Sequence, residues 1–574
     1  MTVWAEDAWA AEPSIPVPPS SSIPSLPAAA FDPRYSGALV WIAEIEAALD
    51  GGTLPEGGPA WADGSWGDIP PAFAGAGGGT IIRVSDLGWR SKDSDVGGAQ
   101  PYPPILSGGP NIERRVALAP SANDTFAWGS LTLARPGVLP NTSLASRDTA
   151  MRRVRLRAGM QTFDSDRGII LDPTSAALVE AFAGMAMTWL PITDGAEIPL
   201  RDPSAWLDAP IQARKFLGTG GAEGPADLAG TPFPMVRGGS AASPVRNCPV
   251  VLVNAASRIY RWNDSGGALV ALYEAGKQTY TNAGLVADVF AASPGAGTFV
   301  YDATGHLRLG SDPAGEITVD GAGQAGFVTA AAVIRELVMT TTGLPAGFLD
   351  ESSITTTAAV APWPGGWAWT GRETAREAIR PLLAALNARL VSSRSGGLRL
   401  WPLRAISGDA VPVASFDPGN AVSVTPVQLG APLTPPTAVW SVGYGKTQAL
   451  ITAPNSTITA AERERLTKPW RTATWADLNN LTRYAQSSRP DLVETALLAP
   501  ADATSLAHVL GALWGVPRQL YQVTMPTGAV LLRDIGDVVR LTWPADGLRS
   551  GARGQVVGDS VRGGQSTASL LVLV

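Results

Sequence analysis

Two histidines and one cysteine make up the supply of soft nucleophiles, bases and metal ligands in 574 residues. Their spacing does not assemble the chemistry those residue types usually serve. His306 reads as part of a turn between short strands. His508 falls on a predicted helix whose neighbours one turn away are Thr504, Ser505, Gly511 and Ala512, none of them a preferred metal ligand. A metal site needs several His, Cys or carboxylate side chains at ligand spacing, and the sequence has no such cluster. Cys248 stands between Asn247 and Pro249 at the start of a strand, with no histidine near it in sequence, which argues against a Cys/His peptidase. The Gly-x-Ser-x-Gly elbow of serine hydrolases is absent, although counting alone does not exclude a Ser/His/Asp triad. Paired carboxylates would serve a glycosidase, and with 50 Asp and Glu pairing is arithmetically possible. Asp491, Glu494 and Asp502 are the weakest kind of candidate, and solvated or ion-paired carboxylates are the favoured reading. Trp363, Trp367 and Trp369 could stack on sugar rings, yet the same apolar area can pack against a helix or a neighbouring subunit; packing is preferred. The glycine-rich 218–224, GTGGAEG, lacks the Lys-Ser/Thr ending and the strand-to-helix setting of a phosphate loop, so it reads as a plain loop. The expectation is a protein that is not an enzyme, with no catalytic, cofactor-binding or metal residues.

Composition points the same way. The chain is too long for one core, so several domains are expected. Charged residues are only 16%, and 63 Gly with 48 Pro favour strands and turns over long helices. Low charge with 19 Trp suggests a surface partly covered by neighbouring proteins, though a GC-rich genome enriches the same residues. Net charge is −7, whereas a nucleic-acid binder needs a basic stripe to neutralise phosphates. The densest basic run, Arg152-Arg153-Val154-Arg155-Leu156-Arg157, alternates cation and apolar residue from Arg153 onward. That is the pattern of an antiparallel strand with one solvated or partner-facing side. With a single cysteine no intrachain disulfide can form. No signal peptide is expected, because no basic region precedes an apolar stretch, and no apolar run reaches membrane-spanning length.

The elements follow from periodicity. Residues 12–30, EPSIPVPPSSSIPSLPAAA, have a proline density that forbids helix and favours an extended arm, either disordered or laid along another subunit. Residues 37–50 space Leu39, Ile42, Ile45 and Leu49 for a short amphipathic helix, and 51–79 reads as loop. Strand candidates at 80–84, 111–118, 124–133, 152–157, 162–171 and 186–190, with a short helix at 174–182, suggest a small barrel. Around 250–273, apolar and aromatic runs flank Asn263-Asp264-Ser265-Gly266-Gly267, which reads as a hairpin of 259–262 with 269–273. Residues 328–342 are predicted helical. A capping box at Thr370 and Glu373 starts the clearest helix, which Pro381 should kink or split, followed by a strand at 398–403. Strand 439–445, helices 459–466 and 504–514, and four strands at 521–525, 538–543, 554–557 and 569–574 complete the chain, with the C-terminus expected to be paired in a sheet.

The order of residues from 232 to 320 resembles tail hub (baseplate hub or tail-tip) proteins of long-tailed bacteriophages and gene transfer agents. The carrying positions are Asn247, Pro249, Val250, Leu252, Tyr260, Val270, Leu272, Tyr273 and Gly276, then Gly305, Arg308, Leu309, Gly310, Pro313, Gly315, Ile317, Thr318 and Asp320. The phrase Leu200-Arg201-Asp202-Pro203, the stretch 382–400 and the closing Ile535-Gly536-Asp537-Val538-Val539 are similar to the same family. The resemblance covers 80–574 and leaves 1–79 outside. It implies a mainly β, multi-domain chain with an α+β insert: two small tube-like β-barrels, a β-rich domain and a small α/β domain. The boundaries expected are an arm with a short helix at 1–79, a first barrel at 80–230, a β-rich hub domain at 231–325, an α/β domain at 326–430 and a second barrel with a helical insert at 431–574. It further implies a structural virion protein in the tail, assembled in the host bacterial cytoplasm as a homotrimer. Its neighbours would be the distal tail or tail tube protein above, a fibre or spike below, and the tape measure protein as a further candidate, with genomic DNA only in passage. A carbohydrate-active tail enzyme and a host-surface receptor-binding protein remain the alternatives. The enzyme would need a carboxylate pair in a cleft, and the receptor binder an exposed aromatic patch.

Overall fold

The computed structural model describes residues 38–49, 80–95, 98–120, 124–134, 147–164, 166–345, 347–430, 433–545 and 547–574. The proline-rich arm expected at 12–30 and the loop expected at 51–79 lie outside them. The fold is mainly β, as composition and turn spacing predict.

The first sheet corrects the reading of 37–50, which is the strand Leu39–Leu49 and not a helix. It runs between Thr80–Ser85 and Arg152–Met160, antiparallel to both. The physical reason is a period of two hidden beneath a helix-like spacing. Trp41, Ala43, Ile45 and Ala47 enter the main core, while Val40 and Ile42 point to the other face, where Trp89 and Tyr102 cover them. Glu44 continues that outer face and accepts the Tyr102 hydroxyl at 2.5 Å. Pairing on both edges overrides the helical preference of Ala and Glu. The expected boundary at 79/80 therefore separates two strands that are hydrogen-bonded to each other. The sheet continues through Val179–Ala186, Gly195–Arg201 and Leu190–Ile192, and Ser130–Ala134 joins it beside Gly195–Arg201. Residues 105–107 link its two ends: Leu106 N donates to Ser85 O at 2.9 Å, Ser107 N to Thr132 O at 2.8 Å, and Ala134 N to Ile105 O at 2.7 Å. The helix expected at 174–182 is a single tight turn, Ser175–Ala177, before the strand Val179–Ala186.

The second sheet has the order Ala414–Phe416, Val538–Leu541, Ala552–Val561, Thr567–Leu573, Leu520–Pro526, Ser423–Val427. Ile112–Arg115 pairs with the far half of Ala552–Val561, and Thr125–Ala127 pairs with Ile112–Arg115. Strands predicted for the first unit thus serve the second sheet, and the chain crosses between sheets at Trp128 and Gly129. Gly129 has φ +66°, and an added Cβ there would sit 2.6 Å from the Asn111 carbonyl oxygen, so a side chain is excluded twice over. The C-terminus is paired as predicted, with Val574 N donating to Gln519 O at 2.9 Å and Gln519 N to Val574 O at 3.1 Å. Core residues of both sheets form one continuous cluster, from Trp41 and Phe182 to Val523 and Leu570. The short helix Thr527–Leu531 touches strands of both.

Between these sequence regions lie two smaller sheets and an α/β unit. Val245–Pro249, Ile317–Ala322 and Ala268–Glu274 form one sheet; Val251–Asn254, Ile259–Arg261, His306–Leu309, Thr298–Asp302 and Thr281–Val286 form the other. The hairpin expected between 259–262 and 269–273 does not form, because its two arms belong to different sheets. Asn263 and Asp264 are buried rather than turning in solvent, and Asn263 Oδ1 accepts Val236 N at 2.9 Å. His306, expected in a turn, begins a strand. In the α/β unit, Ala330–Glu336 continues into a wider turn, Leu337–Thr341. Ala375–Leu386 packs beside the hairpin Ala388–Ser392/Leu398–Pro402. Its capping box is Thr374 with Glu377, one turn after the predicted pair; Thr370 Oγ1 does bond Glu373 at 3.0 Å, but in the turn before the helix. The helix also runs through Pro381 unbroken. The carbonyl that proline leaves unbonded is that of Glu377, in the exposed first turn where water can satisfy it.

Candidate functional site: a buried charged junction

The described residues that stand out chemically are charges placed where apolar side chains would be expected. On Ile112–Arg115 the inward positions are Ile112 and Arg114, and Val116 continues that face. Arg114 is fully buried, donating from Nε to Asp559 at 2.9 Å, from Nη1 to Asp534 at 2.7 Å, and from Nη1 to the Ser392 carbonyl at 3.2 Å. Arg394, at the tip of the α/β hairpin, reaches the other oxygen of Asp559 at 3.0 Å. It also donates to the Ala181 carbonyl of the first sheet at 3.4 Å. Gly396 lets the tip approach, since a Cβ there would meet the Ala183 carbonyl oxygen at 2.7 Å. Trp128, 5.5 Å under the Arg114 guanidinium, donates to Asp202 at 2.8 Å. One network therefore touches both large sheets and the α/β unit.

Its electrostatics are those of compensated burial. Burial alone would raise the Asp534 carboxyl, but Arg114, Arg399 and Arg394 outweigh it and hold the group below its ordinary value. Burial would likewise lower Arg114, and Asp559 with Asp534 reverses the sign. Burial does lower Arg394, to about 10, with Asp559 opposing. Such a cluster is costly to break and poor at acid–base chemistry, which suits a rigid joint. A second joint is smaller. Arg237 spans Asp264 at 2.8 Å and Glu336 at 2.8 Å, tying the crossing after Ile259–Arg261 to the helix Ala330–Glu336.

The basic run 152–157 lies as an alternating strand should. Val154 and Leu156 face the core, and the cations take the other side. There Arg155 pairs with Glu180 at 2.8 Å, Arg157 with Glu44 at 3.4 Å, and the Arg153 amide donates to Glu46 at 3.4 Å. Burial pushes Glu180 up to about 7 against the pull of Arg155.

The residues weighed for catalysis do not converge. The Cys248 thiol is fully buried, 3.6 Å from the Val245 carbonyl, and burial pushes it up, away from thiolate. His306 is buried between Arg261, 3.1 Å from Nε2, and Thr304, 2.7 Å from Nδ1. His508 is exposed on the helix Pro500–Trp514, and Asp491 and Glu494 are exposed while Asp502 is half-buried. The tryptophan stretch packs: Trp369 is buried, and Trp367 lies 3.9 Å beneath the Lys446 ammonium and 5.7 Å from the Trp470 ring. The 218–224 loop contains one short turn, Gly221–Glu223, and Glu223 accepts the Leu217 amide at 2.9 Å. Sequence reasoning passed over Arg114, Arg394, Asp534 and Asp559. The signal available was a charge in phase with apolar residues, Ile112-x-Arg114-x-Val116 and Val557-x-Asp559-x-Val561.

No protein-family model matches the sequence, and no curated protein matches it. Among solved structures, the chain is similar to the 43 kDa tail protein of prophage MuSo2 from Shewanella oneidensis, at 10% identity over 84% of this chain and 95% of that one, with a TM-score of 0.32. It is similar to a chain of the native gene transfer agent virion at 13% identity, over 60% of this chain and 84% of that one, with a TM-score of 0.34. It is likewise similar to the tail protein from Neisseria meningitidis MC58 at 11% identity, over 81% and 97%, with a TM-score of 0.31.

Proposed function

We propose that this chain is a structural protein of the virion tail, a tip hub that joins the tail tube to the distal fibre or spike. In this reading the two large sheets are the walls of two tube-like barrels. Three copies set six such walls around the channel through which DNA leaves. The distal tail or tube protein sits above, with the tape measure protein within reach, and the fibre or spike sits below. The chain works mechanically, carrying no catalyst and no cofactor.

The observation that carries the reading is the junction. Among the described residues, two eight-stranded sheets share one apolar core and are pinned by Arg114, Asp559 and Arg394, so each subunit offers two β walls in fixed relative position. A hub that transmits load needs that stiffness, and side chains here are placed for it. The sequence resemblance over 232–320 supports the same assignment from a separate part of the chain. The test is the native mass of the purified full chain. A trimer agrees; a stable monomer at every concentration up to that in an assembling cell overturns the hub assignment.

A further inference from the structure

Three guanidiniums from three different elements converge on one place. Arg246 lies on the strand Val245–Pro249, Arg465 on the helix Ala460–Thr467, and Arg471 opens the strand Arg471–Ala476. Thr447 ties their backbones together. Its hydroxyl donates to the Arg465 carbonyl at 2.8 Å and its amide to the Pro469 carbonyl at 3.0 Å, while Gln448 N donates to the Arg246 carbonyl at 3.2 Å. The side chains meet around Asp320 and Tyr273. Arg246 Nη1 donates to Asp320 Oδ2 at 2.5 Å, and the Tyr273 hydroxyl donates to the same oxygen at 3.1 Å. The Arg465 guanidinium lies 5.7 Å from the centre of the Tyr273 ring. Arg471 pairs across its ladder with Tyr444 and passes Gly445, where an added Cβ would sit 3.3 Å from Nη1.

The charges do not balance. Asp320 is fully buried and already committed, since its other oxygen accepts the Asn247 amide at 2.8 Å. Among the described residues, neither the Arg465 nor the Arg471 side chain makes a hydrogen bond or an ion pair. Glu462, one turn before Arg465, spends an oxygen on the Thr459 amide and hydroxyl at 2.9 Å each, and Glu464 is held by Lys468 at 2.5 Å. Arg471 is lowered from its ordinary value by burial and then by Arg465 and Arg246, with Tyr444 and Asp320 opposing. Three cations facing one carboxylate leave two positive charges in excess. The three arginines, Tyr273 and Tyr444 are all half-buried, so a ligand can reach them.

We propose that Arg246, Arg465 and Arg471 bind the phosphoryl group of a small phosphomonoester, with Tyr273 and Tyr444 beside it. Guanidinium forks match phosphate oxygens, and a monoester carries nearly two negative charges at neutral pH, which cancels the excess. A carboxylate brings one charge and would leave the excess half met. A nucleic acid would need a basic track along its backbone, whereas this is a single spot on a chain of net charge −7. The proposal does not depend on where the chain sits in the tail.

The test is isothermal titration and thermal unfolding of the full chain with inorganic phosphate and with glucose 6-phosphate, against sodium chloride of equal ionic strength. Saturable binding of one phosphoryl group per chain and a raised melting midpoint are expected, with the ester bound at least as tightly as inorganic phosphate. Arg465→Gln and Arg471→Gln should each weaken binding by about tenfold or more, while Arg335→Gln leaves it unchanged. Without ligand, the midpoint of Arg471→Gln should hold steady or rise, because a crowded cation is removed. A lowered midpoint with unchanged phosphate affinity would make the arginines structural and overturn the proposal. Failure of the ester to bind saturably would also overturn it. So would equal binding of acetate or an aspartate-rich peptide, which would give the site to a partner's carboxylate, or tighter binding of single-stranded DNA that the same variants abolish.

Discussion

Replacing Asp559 by Asn tests the junction at its most buried point. The substitution keeps the size and removes the charge that two buried arginines share, with Arg114 2.9 Å from one carboxyl oxygen and Arg394 3.0 Å from the other. Arg114 retains Asp534 at 2.7 Å, whereas Arg394 keeps only carbonyl contacts at 3.4 Å. Stripping one partner from a buried ion pair costs about 3–5 kcal/mol. For a cooperative unit of the size formed by the two sheets, that lowers the melting midpoint by roughly 6–20 °C. The assay is denaturant and thermal unfolding of the full chain, read by tryptophan fluorescence, since Trp128 lies against Arg114. Two comparisons separate the causes. Arg335→Gln, at the exposed Arg335–Glu351 pair, should cost under about 1 kcal/mol. A combined Arg114→Met, Asp559→Leu, Arg394→Met, Asp534→Asn replacement should cost less than Asp559→Asn alone, because the buried cations go together with both carboxylates they serve. A loss below about 1 kcal/mol for Asp559→Asn would refute the idea that this network pins the sheets together.

Other outcomes follow from the same physics. His306 accepts from Arg261 at Nε2 and donates from Nδ1 to Thr304, whose hydroxyl donates to Asp302 at 2.7 Å, so the folded protein takes it neutral. Burial and then Arg261 lower its pKa from the ordinary 6.5, with Asp302 and Glu223 opposing. The unfolded chain binds that proton first, so stability should fall as pH drops below about 6.5. The difference between wild type and His306→Asn should shrink toward low pH; a difference flat from pH 8 to 5 would contradict this. Thr374→Ala should cost about 1 kcal/mol through the lost cap, while Thr370→Ala, outside the helix, should cost a few tenths; equal losses by chemical denaturation would argue against the observed helix start. With Arg155 and Arg157 already paired to Glu180 and Glu44, the purified chain should bind DNA weakly. Tight, steeply salt-dependent binding in a filter or anisotropy assay would defeat that expectation.

What the sequence made legible is what local chemistry decides. The four closing strands and the helices expected at 459–466 and 328–342 stand close to where their periods put them, because each answers to neighbours a few positions away. Leu39–Leu49 reads as a helix from sequence because Leu39, Ile42, Ile45 and Leu49 satisfy a helical stripe, while Trp41, Ala43, Ile45 and Ala47 satisfy a strand. The choice between them is made by strands at 80–85 and 152–160. The Thr370–Glu373 motif has the right grammar and even the right bond, one turn too early. The junction was half legible: Arg114 and Asp559 sit in phase with apolar neighbours, a visible anomaly, but they are 445 positions apart, and nothing local marks them as partners. The Asn263–Gly267 run looked like a solvent turn because its residues favour turns; Arg237, Gln212 and the Val236 amide make it a buried crossing instead.

The central claim, a structural hub at the tail tip, is tested most directly by cryo-imaging of intact particles with this chain carrying a compact fused label. Three labels arranged about the tail axis at its distal end, directly beneath the tube, are predicted. Label on the capsid, along the whole tube, or missing from assembled particles would contradict it.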